Sequence, residues 1–147
     1  MVPYAGGVDE PDVDPAVPDA VLAELRSVCL GLPETYEEPA WVGTRWCVRK
    51  KTFAHVFAVD EWSPPSIAKV AKAIGPGTML VFRSDGPELV ALRNAGPPFF
   101  YAGWGRDVIA MTLGQDIDWA EVTELLTESY CVMAPKKLQA QVERPPG

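Results

Sequence analysis

The apolar positions of this 147-residue chain change period several times, and those changes divide it into elements. The clearest change runs from Asp107 to Lys137. Val108, Ala110 and Thr112 alternate with Ile109, Met111 and Leu113, which predicts a strand with one face more apolar than the other. A turn through Gly114, Gln115 and Asp116 follows. Trp119, Val122, Leu125, Leu126, Ser129, Val132 and Met133 then fall at three- and four-residue spacing, forming one buried helical stripe. Asp118 is placed to accept the free N–H groups of the first turn, and Glu121 can reach back, a capping box. Pro135 ends the helix, because proline lacks an N–H and pushes the preceding residue out of helical geometry.

The same reading covers the rest of the chain. Residues 1–17 mix Pro, Gly, Asp and Val without a period and are expected to form a disordered or loosely docked acidic tail. A helix starts near Pro18 with Val21, Leu22, Leu25, Val28 and Cys29 at helical spacing, and stops around Gly31 with Pro33 beyond it. Glu34 to Gly43 reads as a turn leading into a short extended piece, Ala40 to Val42, with Gly43-Thr44 as a hairpin turn. Arg45 to Arg49 alternates as a strand, Lys50-Lys51 forms a turn tip, and Thr52 to Val59 returns with Phe53, His55, Phe57 and Val59 on one face. Antiparallel pairing in meander order follows from such short links. Ser66 to Ile74 suggests a short helix, Met79 to Phe82 a strand buried on both faces, Pro87 to Asn94 a helix, and Phe99 to Tyr101 a brief extended piece. Residues beyond about Leu138 are expected to fray. The order predicts a single α+β domain over residues 18–140, an antiparallel sheet with helices packed on it, and a flexible C-terminus at 141–147.

Composition narrows the class. Nearly half the residues are hydrophobic, 48%, which suits a packed globular domain rather than a disordered chain. No apolar run approaches the roughly 20 residues of a membrane span, and no basic-then-apolar leader is visible at the N-terminus. Cys29, Cys47 and Cys131 are odd in number, far apart and set among apolar residues. Buried free thiols in a reducing cytoplasm fit that pattern. The net charge of −7 is unevenly spread: residues 1–38 carry nine acids against one base, residues 39–106 nine bases against four acids, and residues 107–147 seven acids against three bases. An acidic total argues against avid nonspecific nucleic-acid binding, which depends on neutralising phosphates, while a local basic face stays open.

Residues with candidate chemistry are few. His55 is the only histidine, so no HxH or HExxH pair exists, and strand alternation alone accounts for its position. The cysteines share no CxxC spacing, and Cys47 or Cys131 with His55 would be a nucleophilic pair without a motif behind it. No catalytic residue, metal or cofactor is therefore assigned. Gly103-Trp104-Gly105-Arg106 precedes a strand, whereas anion-binding glycines precede a helix, so it reads as a tight turn carrying an aromatic. Arg45, Arg49, Lys50 and Lys51 put four positive charges into seven residues with Trp46 interleaved. A basic hairpin with an aromatic can grip a nucleic-acid backbone and stack on a base. Strand edges also carry Lys and Arg to discourage edge pairing.

Several stretches together resemble the MmcQ/YjbR family, small bacterial proteins often described as DNA-binding: Val28 to Thr35, Val48 to Ala54, Leu80 to Arg83 with Pro87-Glu88, Gly103-Trp104, and Ser129 to Val132 with Pro135-Lys136-Lys137. The resemblance spans roughly residues 20–140. It implies a compact α+β domain of the CyaY-like, or double-wing, kind, and it carries no catalytic residues. The first reading is thus a cytoplasmic, non-catalytic binding domain for DNA through Arg45, Trp46, Arg49, Lys50 and Lys51, joined by Arg83, Arg106, Lys136 and Lys137. The alternative is a module for a protein or small-molecule partner that uses Phe99, Phe100, Tyr101 and Trp104. An enzyme built on a cysteine and His55 is a third reading, and a metal role for the acidic N-terminal region a fourth. The acidic tail and the basic middle of the chain are also a candidate intramolecular pair.

Overall fold

The computed structural model describes residues 17–40, 42–59, 77–101, 103–114 and 116–142. The expected N-terminal tail up to residue 16, the short helix expected over 66–74 and the last five residues lie outside these ranges.

Six strands form one sheet, every neighbouring pair antiparallel. In chain order they are β1 (Thr35–Pro39), β2 (Thr44–Val48), β3 (Lys51–Val59), β4 (Gly77–Arg83), β5 (Phe99–Phe100) and β6 (Val108–Leu113). Their order across the sheet is β1-β2-β3-β4-β6-β5. The described helices are α1 (Asp19–Leu30), α2 (Gly86–Arg93), α3 (Trp119–Met133) and the single turn α4 (Lys136–Gln139). The fold is α+β, as the alternation of periods implied.

Helices α1 and α3 cover one face of the sheet. Their apolar stripes meet Trp46, Val56, Leu80, Phe82, Ile109 and Met111 in the main core. The Asp118 carboxylate accepts the Glu121 backbone N–H at 3.1 Å, so the expected cap forms. Val122, Leu125, Leu126 and Ser129 of the expected α3 stripe are buried, and the stripe shifts only at its C-terminal end. Tyr130 and Cys131 are buried there, while Val132 and Met133 are half-buried. Tyr130 stacks edge-on against Phe53 and donates its hydroxyl to the Pro33 carbonyl at 2.7 Å, pinning the loop after α1.

Four details differ from the sequence expectation. The first strand is Thr35–Pro39, not Ala40 to Val42. Its charged residues had read as a turn, yet Glu37 faces the helices, where Arg26 of α1 clamps it at 2.9 to 3.2 Å and the Trp46 indole donates to it at 3.0 Å. The Arg26 guanidinium accordingly holds the Glu37 carboxyl below the usual carboxylate range. The β2–β3 turn falls at Arg49-Lys50, both at positive φ, and Lys51 already belongs to β3. Phe53 leaves the face of His55 and Phe57: pairing runs Trp46 to Ala54 and Cys47 to Thr52, skipping Phe53, so this bulge turns its ring toward Tyr130. Finally, where fraying was expected beyond Leu138, backbone hydrogen bonds continue to Val142, which packs on the main core beside the fully buried Leu138.

Candidate functional site

The sheet face away from α1 and α3 holds the concave site. A cross-strand row runs Glu38, Arg45, His55, Val81, Ala110, Phe100 from β1 to β5, all in register. Strand alternation places these side chains on the face opposite Trp46, Val56, Leu80 and Phe82. Phe57, Val59, Met79 and Ala110 form a small second core there, with Phe100 and Trp104 packed against it. The Trp104 ring lies 6.3 Å from that of Phe57. Beside this cluster the surface sinks into a groove of about 390 Å³ whose lining includes Arg45, His55, Phe57, Val81, Arg83 and Trp104. That size suits a small ligand.

Both groove arginines have a carboxylate partner. Arg45 donates through Nη2 to Glu38, and Arg83 donates through Nη1 to Asp107 at 2.8 Å. Both pairs sit at the rim and are partly solvent-exposed, where such pairs are worth roughly 0–1 kcal/mol. The Arg45 Nε is different: it is buried and has no hydrogen-bond partner among the described residues. A buried donor left unpaired costs about 1–3 kcal/mol.

His55 sits between the arginines. Its Nε2 lies 2.5 Å from the Val42 carbonyl oxygen, which can only accept, so the proton is on Nε2. Burial pushes its pKa below the ordinary value of 6.5, opposed by the Val42 bond and reinforced by the Arg45 charge. A depressed histidine makes its contribution above the unfolded value and loses it as pH falls toward the folded one. Denaturant unfolding at pH 7.5 and 5.5 is therefore expected to show wild-type protein losing more stability across this window than His55→Gln, whose amide keeps a donor for Val42. Parallel losses in the two proteins would mean that His55 titrates as it does in the unfolded chain.

The nine residues expected to face nucleic acid divide three ways. Trp46 is fully buried on the helix side and cannot stack on a base. Alternation puts Arg45 and Trp46 on opposite faces, so the interleaved aromatic belongs to the core. Arg45 and Arg83 belong to the groove. The remaining six gather around one end of the sheet: Arg49, Lys50 and Lys51 at the β2–β3 turn, Arg106 just before β6, and Lys136 and Lys137 on α4 beyond the C-terminus of α3. Of these, Arg49 pairs with Glu34 at 3.0 Å.

The aromatic alternative divides as well. Trp104 lines the groove, whereas Phe99 packs on the helix-side core and Phe100 on the second core. Tyr101 is exposed, with the Arg93 guanidinium 3.9 Å above its ring. Cys29, Cys47 and Cys131 are buried and none forms a disulfide, and burial pushes the Cys29 thiol well up. Cys47 and His55 share the open face but bond elsewhere. The Cys47 sulfur contacts Glu38 and Thr52 at 3.9 and 3.7 Å, and His55 contacts Val42. Among the described residues no three His, Cys, Asp or Glu side chains assemble as a metal site, and no helix is long and apolar enough to cross a membrane.

Comparison with known proteins adds three findings. The family model described as YjbR matches residues 30–132, well over half the chain. The fold is similar to the crystal structure of the Deinococcus radiodurans protein DR2400, a DUF419 domain, with a TM-score of 0.56 at 21% identity, covering 84% of this chain and 88% of that one. No curated protein matches the chain.

Proposed function

The chain belongs to the YjbR family, and we propose that it works by binding a small ligand in the groove on the helix-free face of its sheet, without catalysing a reaction. The observation that carries this reading is the buried Arg45 Nε, without a partner among the described residues, in a concave site that also offers an aromatic wall at Trp104. Pockets that mix a few fixed polar groups with apolar lining are the usual form of ligand sites. The polar groups here hold and orient: His55 is engaged with a backbone carbonyl, and the buried Cys47 thiol contacts the Glu38 carboxylate at 3.9 Å and the Thr52 hydroxyl at 3.7 Å rather than the histidine.

The test is amide and indole NMR of the full chain against a fragment library, with the groove filled by Val81→Phe as the control. Hits are expected to shift the signals of His55, Val81 and Trp104 and to weaken about tenfold or more in Val81→Phe, since filling a site removes it by overlap. Shifts confined to other surfaces, or hits unaffected by the filled groove, would overturn the reading.

A second reading, DNA bound at the sheet end, is favoured by the gathering of Arg49, Lys50, Lys51, Arg106, Lys136 and Lys137 there. It predicts salt-sensitive binding of single- or double-stranded DNA that Lys50→Glu with Lys51→Glu weakens and whose salt dependence it flattens. Equal binding by the double variant would remove this end of the sheet from consideration.

A further inference from the structure

We propose that the groove's ligand is a small planar molecule carrying a carboxylate or phosphate group, which Arg45 receives in place of Glu38. This rests on the groove reading above and assigns the ligand's chemistry.

The argument begins with donors. A guanidinium presents five N–H groups in a planar fork. Arg45 gives Nη2 to Glu38 and leaves Nε buried without an acceptor. Glu38 thus takes one donor of the fork while Nε has no acceptor among the described residues. An oxyanion with two oxygens in one plane can engage Nε and an adjacent Nη together, the bidentate geometry for which arginine is suited. A neutral hydroxyl or amide oxygen offers no comparable charge-assisted pair.

Arg83 supplies the second cation. It lies on β4, two strands from Arg45, so the two backbones are separated by about 10 Å across the sheet. Among the described residues its side chain is engaged through Nη1, with Asp107. Its backbone N–H is held by Ser129 at 2.7 Å, which fixes the residue at the end of its strand. A ligand anion between these columns meets positive charge from both sides, and the rim carboxylates are the groups it must displace or share. Because the two ion pairs are partly exposed, exchanging Glu38 for a ligand oxygen costs little.

The rest of the lining sets the shape. Trp104 and Phe57 give aromatic surface, and Val81 contributes a small apolar floor from the middle of the sheet. A flat ring fits between a floor and an aromatic wall, where offset or edge-to-face stacking favours an aromatic ligand. His55 gives its Nε2 proton to Val42, and burial favours its neutral form, so the cations facing the ligand are the arginines.

Glu38 makes this proposal testable in both directions. Its carboxylate is a competitor held next to the donor, so its removal should strengthen anion binding and leave neutral ligands unchanged. The probes are benzoate, phenyl phosphate and the neutral benzamide, titrated into the full chain and followed by amide and indole NMR. At least one of the two anions is expected to shift the groove signals with at least tenfold higher affinity than benzamide. Glu38→Gln should tighten that anion severalfold, and Arg45→Met should weaken it at least tenfold. Arg83→Gln should weaken it too, which guards against an Arg45 variant that fails to fold. The stronger of benzoate and phenyl phosphate separates a carboxylate from a phosphate ligand. Benzamide binding in the groove as well as the anions do, or anion affinity indifferent to Arg45→Met and Glu38→Gln, would overturn the anion assignment and leave the groove reading standing. Silence of the groove signals toward all three probes and toward the fragment library would bring down both.

Discussion

Ser129→Ala is expected to cost about 2–5 kcal/mol of folding stability, although it removes a single oxygen atom. Ser129 lies on α3, is fully buried, and its hydroxyl connects two strands that it does not belong to. It donates to the Phe53 carbonyl of β3 at 2.5 Å and accepts the Arg83 N–H of β4 at 2.7 Å. Phe53 and Arg83 come next in register after Ala54 and Phe82, at the point where the β2–β3 pairing skips Phe53. The hydroxyl therefore stands between a carbonyl and an amide that the distorted strand end leaves to it. Alanine would leave both buried groups unpaired, at about 1–3 kcal/mol each. Urea unfolding should show a lower midpoint at unchanged m-value, and Ser129→Thr, which keeps the hydroxyl, should lose less than Ser129→Ala. A loss under about 1 kcal/mol in the alanine variant would mean that the strands close and bond directly. Because Arg83 lines the groove, the variant should also weaken anion binding there.

Which features were legible in the sequence follows from how local their causes are. The α3 cap at Asp118, the stop at Pro135 and the strand at Val108–Leu113 depend on neighbours a few residues away, and alternation or helical spacing exposes them. Ser129 was legible as a buried position on the helical stripe, but its role was not, since its partners lie 46 and 76 positions away. The first strand was missed for the same reason. Thr35–Pro39 carries two glutamates, and the arginines and tryptophan that satisfy them come from α1 and β2. Trp46 is a different case, because the signal was present: a period of two places it opposite Arg45 and Cys47, on the side of Val48. The groove itself was visible only in pieces, as Arg45, Arg83 and Trp104, because it is a row across strands rather than a run along the chain. The sole histidine read as an ordinary strand residue, and its bond to Val42 depends on the path of the β1–β2 loop.

That loop is where a second small substitution should have a large effect. Gly43→Ala is expected to lose at least about 3 kcal/mol, combining a backbone strain with a collision. Gly43 has a φ of +78°, in the left-handed region that residues with a Cβ rarely adopt. A methyl group there would stand 1.9 Å from the Val56 carbonyl oxygen and 2.8 Å from the Phe57 Cβ. Neither obstacle is the tip of a flexible side chain. Val56 and Phe57 are buried in the central strands, so it is the loop that must move. Its anchors are the Ala40 N–H on the Gly43 carbonyl at 3.1 Å and the Val42 carbonyl at His55. Gly103 provides the matched control: its φ is +81°, but a Cβ there meets nothing within 4 Å. Gly103→Ala should therefore cost only the dihedral strain, about 1 kcal/mol at the low end of that range, and the difference between the two variants isolates the collision. Equal losses would show that strand β3 yields at Val56, contrary to its packing. If the loop moves, His55 loses its acceptor on one side of the groove, and the Gly43 variant should bind anionic probes less well than the Gly103 variant even below the unfolding temperature of both.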